Sequence, residues 1–455
     1  MGYIIPITNN DIRDNKMSST NLSDAPEKKV CSGNYWMVNL VCLWFSQILV
    51  MAGFSALIPF IPLFITQELG ITDKTQIGVA VSLFSFFGSL AYAVFCPIWG
   101  KLSDRFGVKP MLLRGTFVTC FIFPLMGYCK GIEKSIHNWF PWVSAVGILI
   151  FLRFLSAACA GTSAASQVMV VRTVPDERQG FALGSLTTSI WGGSMLGNVV
   201  GGLIISRYGY LASFWFCGIL YLLAGISILF TRDNPVRLKP APTRIKERGI
   251  QHFLPTFTNA VWIMMVLFLL MGTVRSLEIP YIALKVKELA GEDNAAYWTG
   301  IVSAFVCVAS VVSGVISGWL SDRYAPKKIL VPALTVSAIA LILQGMSDSL
   351  VTFAASRSLL YVAAGGFHPV LQKALSLITP KRKRGAVFGF STCMNSSGVM
   401  LAALLGGYIY MCTTLDGVFY VTAAAQLISL PVLICFINIA MRKPRFHRRR
   451  SGRKL

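Results

Sequence analysis

The sequence predicts an all-α membrane protein in which twelve transmembrane helices form two pseudo-symmetric six-helix bundles. Three observations predict it. Charged residues make up only 13% of the 455-residue chain and apolar ones 55%, whereas a soluble domain carries about 25% charged residues. Apolar stretches recur along the chain, each long enough to cross a hydrocarbon core of about 30 Å as a helix. The second half of the chain also repeats landmarks of the first, in the same order.

The stretches cover 37–65, 76–98, 111–129, 142–168, 181–205, 210–230, 259–284, 297–319, 329–346, 350–376, 386–411 and 418–440; they are spans one to twelve. Their apolar character is continuous rather than alternating, which excludes the strands of a membrane barrel. In lipid, backbone groups must find partners within their own segment, which leaves helices. Residues 1–35 are polar and lack the basic start, short apolar core and small-residue cleavage site of a signal peptide. They are expected to form a disordered cytoplasmic tail. Residues 36–231 are then the N-terminal bundle, 232–258 a basic, proline-bearing cytoplasmic linker, 259–441 the C-terminal bundle and 442–455 a basic cytoplasmic tail.

The net charge of +22 could signal nucleic acid, but its distribution does not. Alternate loops hold about 31 of the 41 lysines and arginines and the opposite loops about six. This is the positive-inside bias, and it places both termini in the cytoplasm. The run Lys381 to Arg384 and the tail from Arg442 to Lys454 suit anionic lipid at that surface. Aromatic or base-reading features are missing near them, so no nucleic-acid partner is expected. The other four cations, Arg153, Arg275, Arg357 and Lys373, fall inside spans. The eleven cysteines form no CxxC pair, and the four histidines have no metal spacing, so neither a metal site nor a disulfide framework is indicated. No GxxxxGK[ST] loop is present to bind ATP, and no cofactor is expected.

The repeat is visible in named residues. Gly100-Lys-Leu-Ser-Asp104-Arg105-Phe-Gly107-Val-Lys109 follows span two, and Gly318-Trp-Leu-Ser-Asp322-Arg323-Tyr-Ala-Pro-Lys327 follows span eight, 218 positions later. Pro62 and Pro280 pair at that spacing. Pro175, Gly180, Gly184 and Gly193 pair with Pro380, Gly385, Gly389 and Gly398 at 205, as do Gly201-Gly202 with Gly406-Gly407; Arg153 and Arg357 are 204 apart. The drop in spacing places a longer loop in the first half, around Cys129–Pro141. Two packed halves can rock about a site between them, the geometry of alternating access.

These residues resemble the major facilitator superfamily. The stretch from Gly100 to Lys109 looks like its loop 2–3 signature, with a degenerate copy from Gly318 to Lys327. The glycines allow a tight turn, and Arg105, Lys109 and Arg323 keep the loops cytoplasmic. The resemblance implies a latch between the halves in which Asp104 and Asp322 take part; Val108 departs from it, since a basic residue is usual there. Gly184, Gly193, Gly197, Asn198, Gly201 and Gly202 resemble the antiporter motif of span five. Small residues at every fourth position make a ridge for close helix contact. Asn198 stands where the family has proline, which weakens the antiport inference and offers a hydrogen-bonding side chain instead. Pro59 to Phe64 with Leu69-Gly70, and Leu152-Arg153, resemble bacterial drug:proton antiporters of the twelve-span type. The resemblance covers nearly everything beyond residue 35. It implies proton-driven efflux of amphipathic compounds or drugs through the bacterial inner membrane, with a small-molecule substrate, protons and the lipid bilayer as partners and the protein acting as a monomer.

Charges inside the bilayer cost roughly 2.5–3.5 kcal/mol each and need a partner or a role. Glu278, in span seven, is the one carboxylate clearly inside a span. Arg275 lies one turn earlier on the same face, as a structural ion pair or as part of a proton switch. Arg153 is linked by the resemblance to proton transfer; the plain alternative caps it with carbonyls and hydroxyls such as Ser156. Arg357 lies nearer the outer end of span ten, where it can snorkel or else serve proton coupling or the substrate cavity. His368 can titrate near neutral pH or simply pack. Trp44, Phe54, Phe86, Trp191, Tyr281 and Phe390 are candidates for an aromatic cavity. The alternative to efflux is an uptake symporter or uniporter for a polar nutrient such as a sugar or organic anion. The chain is not expected to be an enzyme, because no cluster of His, Asp or Cys gathers at one face.

Overall fold

Large apolar side chains face outward all around the molecule. Phe121 is 73% exposed, Phe151 64%, Val351 77% and Ile428 74%, a surface suited to lipid. The computed structural model describes residues 35–175, 178–232, 258–379 and 384–440. The expected tails and linker (1–35, 232–258 and 442–455) lie almost wholly outside the described residues. Among those residues eleven helices are long and apolar enough to cross a membrane. One of them, Gln179–Leu229, merges spans five and six across Gly209, whose φ of 79° breaks the helix. Twelve crossings result, and the protein is multi-pass.

Four crossings are interrupted, in symmetric pairs. Span one runs as Tyr35–Ser55, a 3₁₀ turn at Ile58–Phe60 and Ile61–Gln67. Span seven runs as Asn259–Val274, a 3₁₀ turn at Ile279–Tyr281 and Ile282–Ala290. Proline lacks an N–H and crowds the preceding turn, and each turn carries one: Pro59 and Pro280. The expected pairing of Pro62 with Pro280 is therefore corrected. Pro62 opens the next helix, where proline is tolerated, and the true partner of Pro280 is Pro59, 221 positions earlier.

Span four is split into Ala145–Cys159 and Thr162–Thr173, and span ten into Leu350–Ala364 and Phe367–Ile378. Each pair of segments is offset by 205, with Ser144 and Ser349 as matching N-caps. Gly161 takes φ 111° at the first break, a conformation that needs glycine. An arginine from a neighbouring helix caps each broken end. Arg114 donates to the Cys159 carbonyl at 3.1 Å, and Arg275 to the Ala364 carbonyl at 2.7 Å. The longer loop of the first half holds a short helix, Cys129–Ile136.

Glycines set how the helices meet. A Cβ at Gly193, Gly197 or Gly201 would run into the backbone of Ile48, Ala52 or Ala56 on span one. In the second half Gly398 and Gly406 abut Leu269 and Leu277 on span seven, each contact 221 or 205 positions from its counterpart. Two further contacts join the halves. Gly202 of span five meets Ala296 of span eight, and Gly407 of span eleven meets Ser82 and Gly78 of span two. More ties lie at the helix ends remote from Tyr35 and Ala440. Gln67 donates to the Glu292 carbonyl at 3.1 Å, Lys74 donates to the Thr413 carbonyl, and the Ser82 and Tyr281 hydroxyls lie 3.3 Å apart. Lys285 pairs with Asp416 at 2.7 Å, fastening span seven to span twelve.

Candidate functional site

The interrupted helices converge on two cavities at the seam between the halves. The first, of about 310 Å³, is lined by Pro59, Phe84, Trp191 and Asn198 from one half and Pro280, Thr299, Arg357 and Tyr361 from the other. The second, of about 290 Å³, is lined by Phe54, Gly88, Tyr92, Arg153 and Gly161, and by Ser396 and Val399 of span eleven. Span two serves both with one face: Val81, Phe84 and Ser85 border the first cavity, and Gly88, Ser89 and Tyr92 the second. That is helical spacing. Both volumes are of the order of a small-ligand site.

The buried charges sort themselves differently from the sequence expectation. Glu278 does not pair with Arg275. Its carboxylate accepts from Arg357 Nη1 at 3.1 Å, and both side chains are 2% exposed. The same Nη1 donates to Gln344 Oε1 at 2.9 Å. The reason is the break after Val274. It ends the helical register that would have stacked Arg275 on Glu278, and Arg275 turns to cap span ten and to lie 5.1 Å from the Phe367 ring. Nor does Arg357 snorkel; it is buried, because a carboxylate and an amide compensate it there.

Arg153 and Arg357 are not true counterparts. Their separation is 204, while the segments of spans four and ten superpose at 205, so Arg357 matches Leu152 and Arg153 matches Ser358. One residue turns a helix by about 100°. Arg357 therefore turns to Glu278 and Gln344 of its own bundle while still bordering the first cavity. Arg153 faces span two, where a Cβ on Gly88 would strike its guanidinium, and span eleven across the second cavity. Ser156 does not cap it: its hydroxyl donates to the Arg153 backbone carbonyl. The guanidinium lies 5.4 Å from the rings of both Phe54 and Phe84, a cation–π environment, and its Nε is buried without a partner.

His368 opens the second segment of span ten and meets the Phe268 ring edge-on at 5.6 Å, as a packing histidine does. The Asn198 amide crosses between the halves to Cys307 Sγ at 3.5 Å. The ridge of Gly193, Gly197, Gly201 and Gly202 packs helices, while Gly184 has open space around it. Among the aromatic candidates, Phe54 and Trp191 line the cavities and Tyr281 is buried against Tyr410, but Trp44 is 38% exposed, Phe86 packs on Phe87 and Phe390 on Trp262.

In the loop after span two, Gly107 has φ 95°, as the tight turn requires. Lys109 donates to the Leu229 and Thr231 carbonyls, each at 2.7 Å, and so closes the end of span six. In the second copy Gly318 has nothing within 4 Å of its Cβ position, and Arg323 lies over Trp319 at 4.0 Å. The side chains of Gly100's neighbours Asp104 and Arg105, and of Asp322, lie outside the described residues. Sequence reasoning missed three residues of the site. Gln344, Arg114 and Gly161 are not singled out by composition, motif or repeat. A glycine between two alanine-rich segments in span four, repeated as Gly365-Gly366 in span ten, was the available signal.

Known proteins are similar along nearly the whole chain. A family model described as the Major Facilitator Superfamily matches residues 43–317 and 286–455. Multidrug resistance protein MdtG of Proteus mirabilis is 28% identical over 407 residues, 87% of this chain and 95% of the relative. The protein of the same name from Salmonella typhimurium is 29% identical over 397 residues, 86% and 93% of the two chains. Among solved structures, a D-xylose–proton symporter superposes with a TM-score of 0.73 at 15% identity, covering 90% of this chain and 99% of that one. The POT family transporter PepTSo gives 0.70 at 13% identity, covering 89% and 99%. At such identities the two structures speak to the fold alone.

Proposed function

The chain belongs to the major facilitator superfamily, and from that membership we propose that it exports amphipathic small molecules by alternating access, in exchange for protons. The observation that carries this reading is the pair of largely apolar cavities at the seam, lined from both halves and flanked by interrupted helices. Rocking of the halves would expose such a site to each side in turn. The similarity to multidrug resistance proteins over nearly their full length supports export over the uptake of a polar nutrient. The cavities also carry few side-chain amides, which a sugar site would need. The chemistry calls for no bond-making residues, so the protein is read as a transporter without enzymatic activity, acting as a monomer. Accumulation of dyes in everted vesicles under an imposed pH gradient tests it; accumulation that ignores the gradient would count against proton exchange.

Orientation follows from the lysine and arginine count, which favours cytoplasmic termini and linker in a bacterial inner membrane. The ties between Gln67 and Glu292 and between Lys74 and Thr413 would then seal the outer face. Reporter fusions after Arg248 and at Leu455 should both read cytoplasmic; a periplasmic signal from either reverses the assignment.

Two residue roles are proposed with it. Glu278, as the carboxylate that Arg357 holds beside the first cavity, is assigned to proton coupling: a proton and Arg357 compete for it. Glu278→Gln keeps the shape and an acceptor for Arg357 but carries no charge. Gradient-driven transport should be lost while substrate counterflow survives; undiminished accumulation would move coupling to Arg153 or His368. Asp104 is assigned to the latch of the loop after span two. Asp104→Asn should lower transport with little change in thermal unfolding, and more than Asp322→Asn does, because Ala325 stands in the second copy where Gly107 stands in the first. Wild-type transport by Asp104→Asn would remove that role.

A further inference from the structure

On the transport reading above, the sign of the charge inside the cavities points to the class of molecule that enters them. The two halves differ in how they compensate buried charge. In the C-terminal half, Glu278 neutralises Arg357, which also donates to Gln344. At the corresponding places of the N-terminal half stand Leu152, Leu57 and Met126, all buried. Arg153 sits one position off this apolar set and faces the seam. Among the described residues it has no carboxylate in ion-pair reach, and its Nε is buried without any partner. No carboxylate lines either cavity.

The backbone adds to this field. The break at Gly161 restarts span four as the twelve-residue segment Thr162–Thr173, whose first N–H groups have no carbonyl in their own helix. Gly161, Thr162 and Ser163 line the cavity that Arg153 lines. An arginine and the positive end of a helix thus converge on one space, with the Phe54, Tyr92 and Tyr221 rings around it and the Phe84 ring 5.4 Å from the guanidinium. A cation entering would meet uncompensated like charge in a low dielectric. An anion would supply the partner that Arg153 lacks.

We propose that the cargo is an acidic amphipath, an apolar or aromatic body bearing a carboxylate or sulfonate, and that Arg153 at the opening of segment 162–173 holds its anionic group. The same chemistry could be offered by a soluble organic acid or by an anionic lipid, and the experiment separates them. Sulforhodamine B, a net anion, and rhodamine 6G, a cation, share a xanthene ring. Their binding to the purified full-length protein in phosphatidylcholine nanodiscs is followed by fluorescence polarisation. The anion should bind at least about tenfold more tightly, the scale of one charge-assisted contact. Arg153→Gln should erase that preference and Arg153→Lys keep most of it. Thermal unfolding is read alongside; if Arg153→Gln does not fold, Arg153→Lys and the wild-type preference still decide. Replacing part of the phosphatidylcholine with phosphatidylglycerol displaces the dye if the occupant is a lipid headgroup and leaves it bound if it is a soluble acid. Equal or tighter binding of rhodamine 6G, no binding of sulforhodamine B, or an anion preference untouched in Arg153→Gln would each overturn the proposal. Vesicle transport of the two dyes is scored separately. Gradient-driven export of rhodamine 6G alone would leave the efflux reading intact and sink this one; binding of the anion with no transport of either dye would keep Arg153 as an anion site but overturn both the efflux reading and the anion's place as cargo.

Discussion

Arg357→Leu is expected to destabilise the protein by about 3–5 kcal/mol, because it strands Glu278 as an unpaired charge among buried side chains. The pair is 2% exposed on both sides, so water cannot take over the role of the arginine. Thermal unfolding in detergent reads the loss, using a thiol-reactive dye against the buried Cys120, Cys129, Cys217 and Cys307. The molecule also carries its own control. The N-terminal half fills the matching positions with Leu57, Met126 and Leu152. The triple change Glu278→Leu, Gln344→Met and Arg357→Leu should therefore return stability to within about 1 kcal/mol of the starting protein, since replacing a whole buried pair by packed apolar groups is often neutral. It should fold and fail to couple. A triple variant as unstable as Arg357→Leu alone would mean that the arginine matters by its shape and not by its charge.

Gly197→Leu is expected to leave no folded protein. Its Cβ would occupy the space of the Ala52 backbone, and backbone cannot rotate away as a side chain can. The cost lies at or above the top of the usual range for overpacking, about 3 kcal/mol. Gly398→Leu should fail in the same way against Leu269. Gly184→Leu belongs to the same run of glycines but meets nothing, and it should be recovered as a monodisperse protein with near-normal unfolding. Size-exclusion profiles of the three variants check the contrast. If Gly184→Leu collapses too, the run acts through helix flexibility rather than through contact.

The crossings, the two halves and the glycine ridge were legible in the sequence because each leaves a mark that does not depend on the partner. An apolar run of fixed length is needed whatever it packs against, and glycine at every fourth position announces a close neighbour without saying which. The partners of the buried charges were not legible. Arg275 and Glu278 are three apart, and an unbroken helix would have stacked them; the 3₁₀ turn at Pro280 removed that helix. Arg153 and Arg357 looked equivalent because a spacing of 204 is hard to tell from 205 along the sequence. Around a helix, that single residue separates an arginine bound within its own bundle from one that faces the seam. Pro62 misled for a similar reason, since either of two prolines could match Pro280 until the helix ends were fixed.

Span five of the first half meets span eight of the second, and span eleven meets span two, through matching glycine contacts. Such a surface is isologous: each half presents one copy of two patches that fit each other. A six-helix protein carrying those patches would dock onto a second copy of itself in this same way, with no change in its side chains needed to create the fit. The single 455-residue chain thus has the layout of a two-fold dimer held within one polypeptide. Because the halves are separate stretches of sequence, one can hold Glu278, Gln344 and Arg357 while the other keeps an apolar core, a division of labour closed to identical partners.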